Sequence, residues 1–279
     1  MAFPSLKQGL LRLVGNRGYR TLHGAWFLAR LLLALALPAY GRAFFGHDML
    51  ALAARLRPGD TVLDIGAYLG GTAVLFARRV RPHGRVLAVE PFHHGFLVFV
   101  ARLLRLPIQV IPSALGSAPG EADLVVPIRA GVPLYSQAAF AESYDTEALI
   151  RSGTYAFQRA TTRRERLDDV LAREGLRPDS VAAVKIDVEG AEHEVLAGGE
   201  AFFNRFAGPL LCEFWYNVLP PAGWLWLIQR GWRCRKLLPD GRLAEAGTLE
   251  QLAVLAHGET YGNFWWERVS PLFPPSVPR

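Results

Sequence analysis

Acids, glycines and a buried lysine recur in this chain at spacings that could bind a cofactor and move a proton. Residues 61–71 run Thr-Val-Leu-Asp-Ile-Gly-Ala-Tyr-Leu-Gly-Gly. Asp64 closes a short apolar run, and Gly66, Ala67, Tyr68 and Gly70 form the turn that follows. Glycine lets backbone approach a ligand where a Cβ would clash, and amides at a helix start can meet a polar or anionic group. Glu90 closes the next apolar run, about twenty residues on, where a carboxylate can accept hydrogen bonds from ribose hydroxyls. Ser113 and Ala114, just past the third run, complete the candidate cofactor contacts.

The spacing separates cofactor classes. A dinucleotide turn needs Gly-x-Gly-x-x-Gly with room for a pyrophosphate. Here Tyr68 stands where its second glycine belongs, and Asp64 precedes the turn. A carboxylate there repels pyrophosphate but suits a cofactor carrying a sulfonium and an ammonium. The pattern therefore favours S-adenosylmethionine over NAD.

A second acidic group follows at 185–194, Lys-Ile-Asp-Val-Glu-Gly-Ala-Glu-His-Glu. Asp187 closes an apolar run, and open α/β sheets bind ligands at that edge. Asp187, Glu189 and His193 are the candidate catalytic residues. Asp187 could orient the methionine ammonium or take a proton from the acceptor, and His193 is an alternative base or a plain surface histidine. Glu192 and Glu194 suit the start of a helix, where acids complement the dipole. Lys185 in an apolar strand requires a carboxylate partner, with Asp168 or Glu213 the candidates. Asp187 and Glu213 could jointly hold a divalent cation, but no third ligand has a recognisable spacing, so no metal site is predicted.

Four segments, Asp64–Gly70, Glu90-Pro91, Arg166–Asp169 and Lys185–Glu192, resemble the FkbM family of methyltransferases in order and separation. The resemblance covers roughly 57–215, and Lys185–Glu192 is its most specific element. It implies an α/β, Rossmann-like class I methyltransferase fold: a mostly parallel seven-stranded sheet, its last strand antiparallel, with helices on both faces. It also implies S-adenosylmethionine-dependent O-methylation of a sugar, glycolipid or natural-product hydroxyl. The family usually carries Asn at the position of Tyr68. Two rival readings are a membrane-associated or inactive protein that binds an adenosyl ligand on the same fold, and an NAD-dependent oxidoreductase, which the glycine spacing disfavours.

Several elements must position these residues. Thr61–Ile65, Arg85–Glu90 and Ile108–Pro112 read as buried strands, with helices at about 70–81 and 92–105 between them. This is a βαβ series, hence a parallel sheet with right-handed crossovers. From about 128 to 162 the chain is polar and reads as an irregular lid or acceptor-binding loop. The rhythm resumes with a helix at Leu167–Arg173, a strand at Val181–Asp187, a helix from about Ala191, a strand at Pro209–Phe214 and a helix near Ala222–Gln229. Arg233–Leu238 and Gln251–Leu255 read as a hairpin pair, with Asp240-Gly241 a turn. Trp215, Tyr216, Trp224 and Trp226 read mainly as core, one or two of them available to an acceptor pocket. The expected domains are a helical, basic N-terminal lobe at 1–48 with loops around Gly15–Gly18 and Gly41–Gly46, a methyltransferase domain at 49–270, and a loose Pro-rich tail at 271–279.

Composition bounds the rest. The chain has 279 residues, 51% of them hydrophobic, which suits a sizeable core and excludes a disordered chain. The net charge is +6. Before Gly59 there are eight basic residues, among them Arg20, Arg30 and Arg42, and a single acid, Asp48. Such a lobe suits an anionic partner or a membrane surface. Ala25–Leu37 is apolar except for Arg30. As a helix it spans roughly 20 Å, short of a hydrocarbon core, so it reads as buried or interfacial, with an anchor or signal segment as alternatives. Cys212 and Cys234 form no disulfide framework or zinc site and read as buried thiols. With no zinc module or base-flipping motif, a nucleic-acid substrate is disfavoured. The expected partner is a small-molecule, glycan or lipid-linked acceptor, met in the cytoplasm or at a membrane surface.

Overall fold

In a computed structural model, residues 4–141, 153, 155–216, 219–238, 240–256 and 261–268 are described. The expected tail at 271–279 and the centre of the expected lid, 142–152, lie outside the described residues.

The chain opens with helices α1 (Pro4–Ala36), α2 (Pro38–Phe45) and α3 (His47–Arg55). All but Leu37 of the apolar 25–37 stretch is the C-terminal part of α1, and the helix kinks at Gly15, where φ is 66°. Gly41 lies inside α2 rather than in a loop, because a Cβ there would meet the Ala34 carbonyl at 2.5 Å: the glycine lets α2 fold back onto α1. Leu31 of α1 is fully buried against Val74 and Val100. Among the described residues no helix is long and apolar enough to cross a membrane.

The βαβ series then runs β1 (Thr61–Ile65), α4 (Gly71–Val80), β2 (Arg85–Val89), α5 (His94–Leu103) and β3 (Ile108–Ile111). After it come β4 (Ala114–Leu115), β5 (Gly120–Arg129), β6 (Val132–Pro133), β7 (Ala139–Phe140) and β8 (Tyr155–Glu165). The chain continues with α6 (Leu167–Arg173), β9 (Ala183–Ile186), α7 (Glu192–Gly198), α8 (Glu200–Phe203), β10 (Leu210–Trp215) and α9 (Ala222–Gln229). It closes with β11 (Trp232–Leu237), β12 (Leu243–Glu245), α10 (Leu249–Ala256) and β13 (Tyr261–Arg268).

The main sheet has eight strands in the order β12-β11-β13-β10-β9-β1-β2-β3. Strands β10, β9, β1, β2 and β3 are parallel, and β13 is inserted antiparallel between β10 and β11. Strand β12 adds an eighth member to the expected seven. The buried apolar faces of β1, β2, β9 and β10 supply much of the core on both sides of the sheet.

Three expectations need correction. The described residues of 128–162 contribute to a second sheet, β4-β8-β5-β6 with β7 on β5. Gln251–Leu255 is helical, within α10, because its Leu252 and Ala256 point one apolar stripe at the core. The true partner of β11 across the Asp240-Gly241 turn is β12, and β13 is a strand the sequence pattern did not disclose.

Candidate active site

A cavity of about 220 Å³ opens at the carboxyl ends of β1, β2 and β9 and is roofed by the second sheet. Of the candidate residues, Gly66, Tyr68, Glu90, Ser113, Ala114, Asp187 and Glu189 line it. Asp64, Ala67, Gly70 and His193 are not among its lining residues.

Asp64 is fully buried beneath the turn, where it accepts the Thr72 hydroxyl at 2.6 Å. It also faces the Lys185 ammonium at 3.4 Å, and Asp187 lies equally close on the other side. Lys185 donates to the Gly66 carbonyl at 2.8 Å. Its direct partners are therefore Asp64 and Asp187, not Asp168 or Glu213. Burial opposes its charge, but Asp187 and Asp64 outweigh burial and hold the ammonium above the usual lysine range. Asp168 instead accepts the Ala201 and Phe202 amides and so caps α8.

The glycines answer to the protein before any ligand. A Cβ on Gly66, at φ 78°, would lie 1.8 Å from the Asp187 carbonyl oxygen, and one on Gly70, at φ 91°, 2.3 Å from Leu97. Only residues without a Cβ let the turn cross β9 and α5 this closely.

Glu90, 6% exposed, fixes the rim. One oxygen accepts the Phe92 and His93 amides at 2.7 Å each, and the other accepts the Tyr68 amide at 2.9 Å. Burial raises its carboxyl and these amides pull it back. The second oxygen keeps an unused lone pair beside the cavity. Tyr68 is left-handed, with φ 50°, a conformation Asn tolerates better than other non-glycine residues. Its hydroxyl pairs with His23 Nε2 at 2.8 Å and its ring meets His93 edge-on.

The loop after β9 is held in a similar way. Glu192 accepts the Val188 and Gly190 amides, at 3.2 and 3.1 Å, so it ties down the turn rather than merely decorating a helix start. Between them Glu189 is left-handed, φ 57°, followed by Gly190 at φ 96°. Carboxylate oxygens of Asp187, Glu189 and Glu213 all lie within 4.8 Å of one another, close enough to share a proton or ligate one divalent cation. Burial, then Asp187 and Glu192, pushes Glu189 up to about 8. Burial, then Asp187, Glu189 and Glu192, pushes Glu213 up to about 10.

Sequence reasoning missed the roof and one wall. Phe92, His93, Tyr135 and Phe140 line the cavity, and Phe92 stacks on Tyr135. His93 Nε2 and the Tyr135 hydroxyl are buried with no hydrogen-bond partner among the described residues. Burial first, then Arg20 and His23, pushes His93 down to about 3, which keeps it neutral. Tyr135 falls inside the polar stretch read as a lid, so its aromatic ring there was the available signal. Trp215, Tyr216, Trp224 and Trp226 do not line the cavity, and Trp224 and Trp226 are core.

Residues 64–218 match a family model described as the methyltransferase FkbM domain. The chain belongs to the FkbM methyltransferase family. No curated protein matches it. Among solved structures, a methyltransferase FkbM from Methylobacillus flagellatus KT is 12% identical at a TM-score of 0.45, the match covering 76% of this chain and 44% of that one. A SAM-dependent O-methyltransferase from Thermotoga maritima is 13% identical at a TM-score of 0.40, covering 81% and 66%. A fibrillarin from Aeropyrum pernix, solved with natively bound S-adenosyl-L-methionine, is 16% identical at 0.41, covering 78% and 73%. The chain thus spans under half the length of the first of these and about two thirds of the second. Its fold agrees with the class I methyltransferase fold expected of the family, with β12 and the second sheet beyond the expected seven strands.

Proposed function

We propose that this FkbM-family chain binds S-adenosylmethionine in the cavity beside Glu90 and transfers its methyl group to a hydroxyl of a sugar, glycolipid or natural-product acceptor. The carrying observation is the cavity's paired chemistry. One end offers the spare acceptor capacity of Glu90 with the orphaned His93 Nε2 and Tyr135 hydroxyl, which suits a nucleoside rich in donors. The other offers Asp187 and Glu189, which suit a cationic centre and a hydroxyl that must lose its proton.

When bound, the cofactor supplies an electrophilic methyl on a sulfonium. The residues then have separable roles. Gly66 and Glu90 shape and orient the nucleoside pocket. Asp187, 29% exposed and held by Lys185, faces the cavity as a carboxylate that can fix a cation or accept the acceptor's proton. Glu189, raised to about 8, sits where a general base works near neutral pH, since efficiency peaks when its pKa is close to the operating pH.

Calorimetry with S-adenosylhomocysteine tests the binding half. Incubation with methyl-labelled S-adenosylmethionine and fractionated cell lipids and glycans tests the transfer. Asp187→Asn is expected to lower transfer at least roughly tenfold, because a positioned base is typically worth 10²–10⁴. Sparing of cofactor affinity marks a role toward the acceptor, and its loss marks a role toward the methionine ammonium. Normal transfer with normal affinity removes Asp187 from the chemistry.

A further inference from the structure

Beside the cofactor cavity, and sharing Phe92, His93 and Tyr135 with it, lies a second cleft of about 410 Å³ between α1 and the start of α5. Arg20 and His23 of α1 and His94 of α5 line it, and no carboxylate does. The first turn of α5, a ten-residue helix, contains no acid, and Glu90 takes the Phe92 and His93 amides just before it, so the amides of the turn itself remain for this side. Arg20 is exposed and lies over the Phe92 ring at 4.9 Å. It makes no ion pair or hydrogen bond among the described residues, unlike Arg30, which donates to the Tyr40 hydroxyl. His93 forms the partition between the two spaces and is 6% exposed, with Nε2 unpartnered.

We propose that this cleft is a phosphate-binding subsite holding the anionic end of the methyl acceptor. The assignment to an acceptor rests on the methyltransferase reading. The assignment to phosphate rests on the cleft itself. A solvated basic surface would scatter its donors, whereas here a guanidinium, the His23 and His94 rings and a helix start line one concavity. In keeping with that placement, the His93 imidazole is driven down by burial and then by Arg20, His23 and His94. Arg is suited to such a site because its planar donors bind phosphate oxygens in pairs. The shared residues Phe92, His93 and Tyr135 place the cleft beside the cavity that Asp187 lines.

The phosphate could belong to a lipid headgroup or to a soluble ester. Leu22 and Trp26, 43% and 55% exposed, flank His23 on α1 and offer an apolar edge to a chain. The test is titration of full-length protein with inorganic phosphate, and separately with dodecyl phosphate, by calorimetry or NMR. Inorganic phosphate is expected to bind in the millimolar range, with affinity falling at least about fivefold in Arg20→Gln and falling also in His94→Gln. Arg42→Gln, which removes the same charge from the exposed face of α2, should leave it unchanged. Tighter binding of dodecyl phosphate than of inorganic phosphate marks a lipid source, and equal binding a soluble one. No binding up to about 50 mM, or equal losses in the Arg20 and Arg42 variants, overturns the proposal. S-adenosylhomocysteine affinity, measured on the same samples, reports separately on the methyltransferase reading and on folding of the variants.

Discussion

Glu90 and Glu213 are the same residue type, near the carboxyl ends of strands in one sheet, 6% and 8% exposed, yet their surroundings differ in kind. Burial pushes both carboxyls up. At Glu90 three backbone amides and the distant Lys185 pull back. The Glu213 carboxylate receives no hydrogen bond among the described residues and faces Asp187 and Glu189, so it holds its proton to about 10. The difference lies in hydrogen-bond supply, not in depth. One end of the site surrounds its carboxyl with backbone donors, and the other crowds carboxyls against one another.

Lys185 is the ammonium on which the crowded end depends. Lys185→Met leaves Asp64 buried and uncompensated, and breaking a buried pair in this way costs about 3–5 kcal/mol. Urea denaturation should show the loss, and a variant as stable as the parent would mean that the Lys185–Asp64 pair does not support the fold. Glu213→Gln sharpens the contrast further. Its folded pKa lies above the unfolded value, so the folded state keeps a proton that the unfolded chain releases. That contribution is fully present below about pH 4.5 and drains away as pH rises toward 10. Glutamine mimics the protonated form at every pH. The variant should match the parent near pH 5 and exceed it by roughly 2–4 kcal/mol at pH 9. Parallel stability curves would show that Glu213 titrates normally. At the other end, Glu90→Gln replaces an acceptor-only group with one that presents a donor to the Tyr68 or Phe92 and His93 amides. Cofactor-product affinity should fall by about 1.5–3 kcal/mol in calorimetry, and unchanged affinity would detach Glu90 from the ribose.

The same contrast explains what the sequence disclosed. Strands buried on both faces, such as β1 and β9, are short apolar runs broken only by Asp64 and Lys185, and they were legible to within a residue or two. Strands solvated on one face were not. Strand β8, Tyr-Ala-Phe-Gln-Arg-Ala-Thr-Thr-Arg-Arg-Glu, is mostly polar, and only its long pairing with β5 makes it a strand. Strand β13 carries Gly262 and Asn263 before its tryptophans, a weak local signal that tertiary pairing overrides. At the site, residue types marked which acids mattered but not which way each pointed. Asp64 and Asp187 both sit at strand ends, and only the pairing of both with Lys185 sends one under the turn and the other into the cavity. His93 and Tyr135 escaped because neither neutral imidazole nor phenol announces itself until its donors and acceptors can be counted.

The position of β13 has a consequence for how the molecule is made. It lies between β10 and β11, so two strands synthesised earlier must leave a gap that is filled only after α9, β12 and α10 have emerged. The βαβ half carrying the glycine turn can assemble from local contacts while the chain is still growing. The half carrying Glu213 cannot, because its sheet closes by a late, long-range insertion, and such pairings are slow and leave strand edges open meanwhile. During biosynthesis the nucleoside end of the cavity is therefore expected to exist before the carboxyl-rich end, and the interval between them is when this chain is most exposed to aggregation.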